Sequence, residues 1–122
     1  MIMQKSVVAI VDDDARLLDS LGDFLKSAGF AVRAFTSGRA FLDDESVPPA
    51  DCLVTDITMP ELDGFELQEA ANEKRPDLPV IFITGTRDVE TQTRVMELPS
   101  GRFFRKPFDA QDLVNAITKA VR

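Results

Sequence analysis

The chain of 122 residues contains no histidine and a single cysteine, Cys52. One thiol cannot make an intrachain disulfide. Cys52 opens an apolar run, so it is expected to be a buried and inert thiol. No apolar stretch approaches the ~20 residues of a membrane-spanning helix. The first apolar run, Val7 to Val11, is too short for a signal peptide and leads directly into three aspartates. No glycine-rich G-x-x-x-x-G-K-[ST] loop is present, so the chain is not expected to bind ATP itself. No internal repeat or low-complexity tract interrupts it. Basic residues number 14 against 21 acidic ones, a net charge of −7, which disfavours nucleic acid or an anionic membrane as a direct partner. A cytoplasmic location is expected.

What is present reads as one domain. An apolar fraction of 44% in a chain of this length supports a single core. Val7 to Val11 is continuously apolar, as expected of a strand buried on both faces of a parallel sheet. Asp12-Asp13-Asp14 ends it, and Leu17, Leu18, Leu21, Phe24, Leu25 and Ala28 then recur at helical spacing up to a capping Gly29. Phe24, Phe82 and Phe104 are expected in the core. Residues 30–35 read as a short strand with Arg33 as its polar break, and Ser37-Gly38 starts a short helix through Leu42. Val47-Pro48-Pro49 is a loop, because two prolines remove backbone donors. Cys52 to Asp56 reads as a buried strand ending on an acid. A turn over Met59 to Gly64 precedes a helix from Phe65 to Arg75, stopped by Pro76. Val80 to Thr84 is another buried strand, broken by Gly85. Asp88 is read as the N-cap of a weaker, polar helix reaching about Leu98. Arg102 to Arg105 is an edge-like strand, and Asp109 caps a last helix with Leu113, Val114, Ile117, Ala120 and Val121 on its apolar face.

Five strands alternating with five helices predict an α/β fold, (βα)5, with a doubly wound five-stranded parallel sheet in the order 2-1-3-4-5, a flavodoxin-like three-layer sandwich. Ligands of such sheets bind at the carboxyl ends of the strands. There the sequence places Asp12 and Asp13, Asp56, Thr84 and Lys106. Carboxylates brought together repel by about 4 kcal/mol per pair at ~4 Å and an effective dielectric near 20, so the cluster protonates or holds a cation. Hard oxygen donors point to Mg²⁺. An ammonium and Mg²⁺ suit a phosphoryl group in transfer, and a carboxylate can itself be the nucleophile.

Val11-Asp12-Asp13-Asp14, Val54-Thr55-Asp56-Ile57-Thr58-Met59-Pro60 with Asp63-Gly64, Ile83-Thr84-Gly85 and Phe103-Phe104-Arg105-Lys106-Pro107-Phe108 together resemble a response-regulator receiver domain of two-component signalling, of the FixJ type found in LuxR-type transcription regulators. The resemblance spans residues 1–122, within which no output domain is expected. It implies that Asp56 is the phosphoacceptor and that Asp13, Asp56 and the backbone carbonyl of Thr58 ligate Mg²⁺ (or Mn²⁺), with Asp12 acting through water. It also implies that Thr84 is the switch hydroxyl, Lys106 the phosphate-pairing ammonium and Phe103 the switch aromatic, with a cis Lys106-Pro107 bond. The implied partner is a sensor histidine kinase. Phosphorylation would alter the surface of the fourth helix, fifth strand and fifth helix, through which many receivers form homodimers. The domain would signal rather than turn over a substrate, acting only on its own aspartyl-phosphate, and would control transcription through an output domain without touching nucleic acid itself.

Blander readings accompany these. Asp14 suffices to cap the first helix, Lys106 alone would be a surface lysine, and Phe103 reads equally as core. A phosphate-independent pseudo-receiver is the alternative function. A phosphatase of the haloacid-dehalogenase type is disfavoured, because it needs a second acid where Thr58 stands. Glu97-Leu98-Pro99-Ser100-Gly101 departs from the small-residue turn of the family, since Pro99 cannot adopt φ > 0. The polar stretch Thr91 to Arg94 departs as well. Both bear on the dimerisation face rather than on the carboxylates.

Overall fold

The computed structural model describes residues 5–85, 89–98 and 102–121. In chain order the elements are β1 (Val7–Val11), α1 (Ala15–Ser27), β2 (Ala31–Phe35), α2 (Gly38–Asp43), β3 (Cys52–Asp56), α3 (Gly64–Lys74), β4 (Val80–Thr84), α4 (Val89–Met96), β5 (Phe103–Arg105) and α5 (Ala110–Ala120). The strands form one parallel sheet in the order β2-β1-β3-β4-β5. That is the expected doubly wound sheet, with its switch point between β1 and β3. Two readings, Asp88 as a helix cap and the path of Pro99-Ser100-Gly101, lie outside the described residues.

The strand side chains alternate between two cores. Val7, Ala9, Val11, Leu53, Val80 and Phe82 face one side, where they pack with Phe65, Leu67, Ala71 and Val95 of α3 and α4 and with Phe41 and Leu42 of α2. Val8, Ile10, Cys52, Val54, Ile81 and Ile83 face the other, against Leu18, Leu21 and Leu25 of α1 and Leu113, Val114 and Ile117 of α5. Every residue of β1, β3 and β4 is buried. This explains why those strands read as unbroken apolar runs rather than alternating ones. Burial also pushes the Cys52 thiol up to about 12, which makes it the inert thiol expected.

Helix ends follow local chemistry. Asp14 caps α1 by accepting from the amides of Arg16 and Leu17, and Gly29 leaves the helix at φ 101°, a conformation glycine adopts without strain. Asp63 and Glu66 form a reciprocal capping box at the start of α3, one residue earlier than the sequence suggests. Asp109 caps α5. The Val47-Pro48 and Lys106-Pro107 bonds are both cis.

One core assignment is corrected. Phe24 is 37% exposed rather than buried. Successive helical residues step about 100° around the axis. Leu18, Leu21 and Leu25 centre the apolar stripe of α1, and Phe24 lies on its flank beside Leu17. Both flank residues line an apolar groove with Pro107 and Phe108. Phe24→Ser is therefore expected to cost clearly less than Leu25→Ala, which at a fully buried position should cost about 2–4 kcal/mol. Urea unfolding of the two variants checks the difference, and equal losses would restore Phe24 to the core.

Candidate phosphoacceptor and metal site

Three strand ends build one cluster. β1 delivers Asp12, whose amide is held by the Phe35 carbonyl at 3.1 Å and whose Oδ1 accepts from the Asp14 amide at 2.9 Å. Asp12 is 1% exposed, while Asp13 beside it is open to solvent. β3 ends on Asp56, 6% exposed, whose Oδ1 accepts from the Ile57 amide at 3.0 Å. One carboxylate oxygen from each of Asp12, Asp13 and Asp56 lies within 4.8 Å of the others. Thr84, fully buried, closes β4 at the same edge. The amide of Lys106 donates to the Thr84 carbonyl at 2.7 Å, which places the lysine just beyond β5. Its Nζ then reaches Asp12 Oδ2 at 2.9 Å and Asp56 Oδ1 at 3.7 Å.

Electrostatics follow from this crowding. Burial, then the Asp12 carboxylate, push the Asp56 carboxyl up to about 6, against the opposing pull of Lys106 and the Ile57 amide. For Lys106, burial works against the charged form, but the Asp12 hydrogen bond and the charges of Asp56, Asp12 and Asp14 outweigh it and raise its pKa. One ammonium thus balances two buried carboxylates and an exposed third. The net negative charge and all-oxygen donor set fit a hard divalent cation such as Mg²⁺, which takes one or two carboxylates and completes its shell with water and phosphate oxygens.

Removing the ammonium should deepen the imbalance. Lys106→Met is expected to push the Asp56 carboxyl higher still, because it removes the charge that lowers it. Carboxyl-resolved NMR titration in metal-free buffer measures it, and an unmoved Asp56 would show that Lys106 does not face it in solution.

The structure thus brings Asp12, Asp13, Asp56 and Lys106 together and sets Thr84 at the adjoining strand end. Thr58 lies two residues beyond Asp56 with an exposed side chain, on the wall of a separate pocket with Asp63, Thr91 and Arg94. Phe103 is not at this edge. It pairs in register with Phe82, two residues before Thr84, and packs half-buried against the α3–α4 core. Two contributors escape a reading by motif roles. Gly64 donates its amide to the Ile57 carbonyl at 2.8 Å, and a Cβ there would lie 2.4 Å from the Asp56 carbonyl oxygen. A glycine directly after a helix cap was the available signal. Arg94 of α4 stacks its guanidinium 3.7 Å over the Phe65 ring of α3, a contact between distant polar and apolar positions that no local pattern encodes.

The response regulator receiver domain profile matches residues 8–118. The response regulator protein TmoT of Ectopseudomonas mendocina is 37% identical over 119 residues, covering 98% of this chain and 54% of TmoT. The transcriptional regulatory protein FixJ of Bradyrhizobium diazoefficiens is 37% identical over 118 residues, covering 97% of this chain and 58% of FixJ. The chain spans about half the length of these curated relatives. A solved response regulator receiver protein from Sinorhizobium medicae superposes with a TM-score of 0.83 at 28% identity, covering 97% of this chain and 95% of its own.

Proposed function

We propose, since the chain belongs to the response regulator receiver domain family, that it is a phosphorylation switch in which Asp56 accepts a phosphoryl group from a sensor histidine kinase. The observation that carries this reading is the meeting of Asp12, Asp13 and Asp56 with the Lys106 ammonium at one sheet edge. An oxygen of Asp56 attacks the phosphorus of a phosphohistidine, the P–N bond breaks, the imidazole leaves with the electron pair, and an acyl phosphate remains. Lys106 pairs with the transferring oxygens, and the Ile57 amide fixes the Asp56 rotamer so that the carboxylate is aimed before the donor arrives. Asp13, Asp56 and the Thr58 carbonyl would hold Mg²⁺, or Mn²⁺ in its place, with Asp12 acting through water. The cation supplies charge stabilisation for the phosphoryl oxygens.

Once Asp56 is modified, the Thr84 hydroxyl and Lys106 have a new anion to bond. Their movement biases a two-state equilibrium that is read out on α4, β5 and α5, with Phe103 following Thr84. That same surface serves for dimerisation. The domain acts in the cytoplasm. The relatives are named as regulators and extend well beyond the matched region, which supports transcription control through an output domain outside these 122 residues. No helix among the described residues is long and apolar enough to cross a membrane.

Acetyl phosphate with Mg²⁺, followed by intact mass measurement, tests the reading. A single phosphate adduct that does not form when chelator replaces Mg²⁺ is expected. No adduct, together with no Mg²⁺ binding in a titration to roughly 10 mM, would replace it by the phosphate-independent interaction module.

A further inference from the structure

Away from the carboxylates, between α2, α3 and the sheet, lies a cavity of about 120 Å³. Its origin is compositional. Ala9 of β1 and Ala71 of α3, both buried, meet across it with only methyl side chains, while Phe41 and Leu78 form its walls. The space opens to solvent past exposed Lys74, Ser46 and Pro49. Its rim is unlike the rest of this acidic chain. Arg33, Lys74 and Arg75 stand there against a single carboxylate, Asp44. Arg33 pairs in register with Ala9, on the strand face that otherwise packs into the core, and its guanidinium reaches out only to 3.9 Å from Asp44. Asp44 is already engaged by the Ser46 amide at 3.2 Å. Arg75 donates to the Ala50 carbonyl. The rim keeps a net positive charge in a chain of net charge −7.

We propose that this cavity binds a small monocarboxylic acid with a compact apolar body, an aromatic ring or branched alkyl group, whose carboxylate lies at the Arg33–Lys74–Arg75 rim. Size and charge set the class. A dry cavity of ~150 Å³ accepts benzene; at about 120 Å³ and open at its rim, the space here seats a branched alkyl group or most of one ring, with the carboxylate left in the mouth. A neutral molecule of the same shape fills the cavity and forgoes the rim. Inorganic phosphate reaches the rim and leaves the cavity empty. The site shares no residue with the phosphoacceptor cluster and does not rest on its assignment.

Benzoate titrated into the full chain under ¹⁵N-resolved NMR is the test. Saturable shifts at the Leu42, Ala71 and Leu78 amides are expected, with a dissociation constant of about 0.1–1 mM. Benzyl alcohol and inorganic phosphate should each bind at least about tenfold more weakly. Lys74→Gln, at an exposed position, should weaken benzoate binding several-fold with acetyl phosphate labelling unchanged. Ala71→Leu should abolish binding by filling the space. Absence of saturable shifts to roughly 10 mM, equal binding of benzyl alcohol, or benzoate binding unaffected by Lys74→Gln would each overturn the proposal, whether or not Ala71→Leu folds.

Discussion

Asp56→Asn is expected to lose the phosphate adduct and yet, in metal-free buffer near pH 8, to melt at a higher temperature than the native chain. Loss of labelling follows from removing the nucleophile, because an amide oxygen does not form an acyl phosphate. The gain in stability follows from burial. The Asp56 carboxyl titrates at about 6 in the folded chain, against an ordinary value of 3.8. Below about pH 4 the group is protonated in both states and carries no penalty. As pH rises from about 4 to about 6 the unfolded chain ionises first, so folding is progressively disfavoured. Above about pH 6 the penalty is constant, with an upper bound near 3 kcal/mol at 1.36 kcal/mol per unit, and about 1–2 kcal/mol once residual hydration is allowed for. Asparagine removes the charge and keeps an oxygen for the Ile57 amide. The variant should therefore melt roughly 4–8 °C higher near pH 8 and no higher near pH 4. Saturating Mg²⁺ should narrow the gap, because the cation binds the native carboxylates and stabilises the folded wild type by mass action. Equal melting of the two proteins in chelator at about pH 8, or a difference that does not change with pH, would show that the Asp56 charge is not strained.

That strain was partly legible in the sequence. β1, β3 and β4 declare themselves as apolar runs because helices cover both sheet faces, and Asp12 and Asp56 mark where those runs end. Once the strand order is assumed, the doubly wound topology puts these acids and Lys106 at one edge without further information. Finer features depend on distances that periodicity does not carry. A helical repeat identifies the apolar face of α1 but not its margin, so Phe24 reads as core although it stands at the rim of a groove. Burial of Ala9 is equally predictable from β1. That Ala71 would face it, leaving a cavity bordered by Arg33, depends on how α3 is set over the sheet. The stacking of Arg94 on Phe65 joins two helices through side-chain reach alone.

Gly64→Ala should be among the most damaging single-methyl changes in the chain. Gly64 is the first residue of α3, and the backbone of Asp56 and Ile57 passes directly against it. An added Cβ would sit 2.4 Å from the Asp56 carbonyl oxygen at the end of β3 and 2.9 Å from the Cα of Ile57 just beyond it, both backbone atoms. Neither side yields easily. The Gly64 amide is tied to the Ile57 carbonyl at 2.8 Å, and the helix start is clamped by the Asp63–Glu66 capping box, with bonds of 3.0 Å and 2.8 Å. β3 in turn is hydrogen-bonded on both sides, to β1 and β4. Relief requires separating helix from strand by about 1 Å, which we expect to cost about 2–4 kcal/mol. The same displacement moves Asp56 relative to Lys106, so labelling by acetyl phosphate should slow by roughly tenfold or more even where the variant is folded. Gly29→Ala separates this effect from glycine loss in general. Gly29 has φ +101° and nothing within 4 Å of an added Cβ, so alanine there should cost about 1 kcal/mol of backbone strain and leave labelling unchanged. Urea unfolding and labelling rates measured on both variants decide the matter. If Gly64→Ala is no more destabilised than Gly29→Ala and labels at the native rate, the close approach of α3 to the Asp56 backbone does not position the phosphoacceptor.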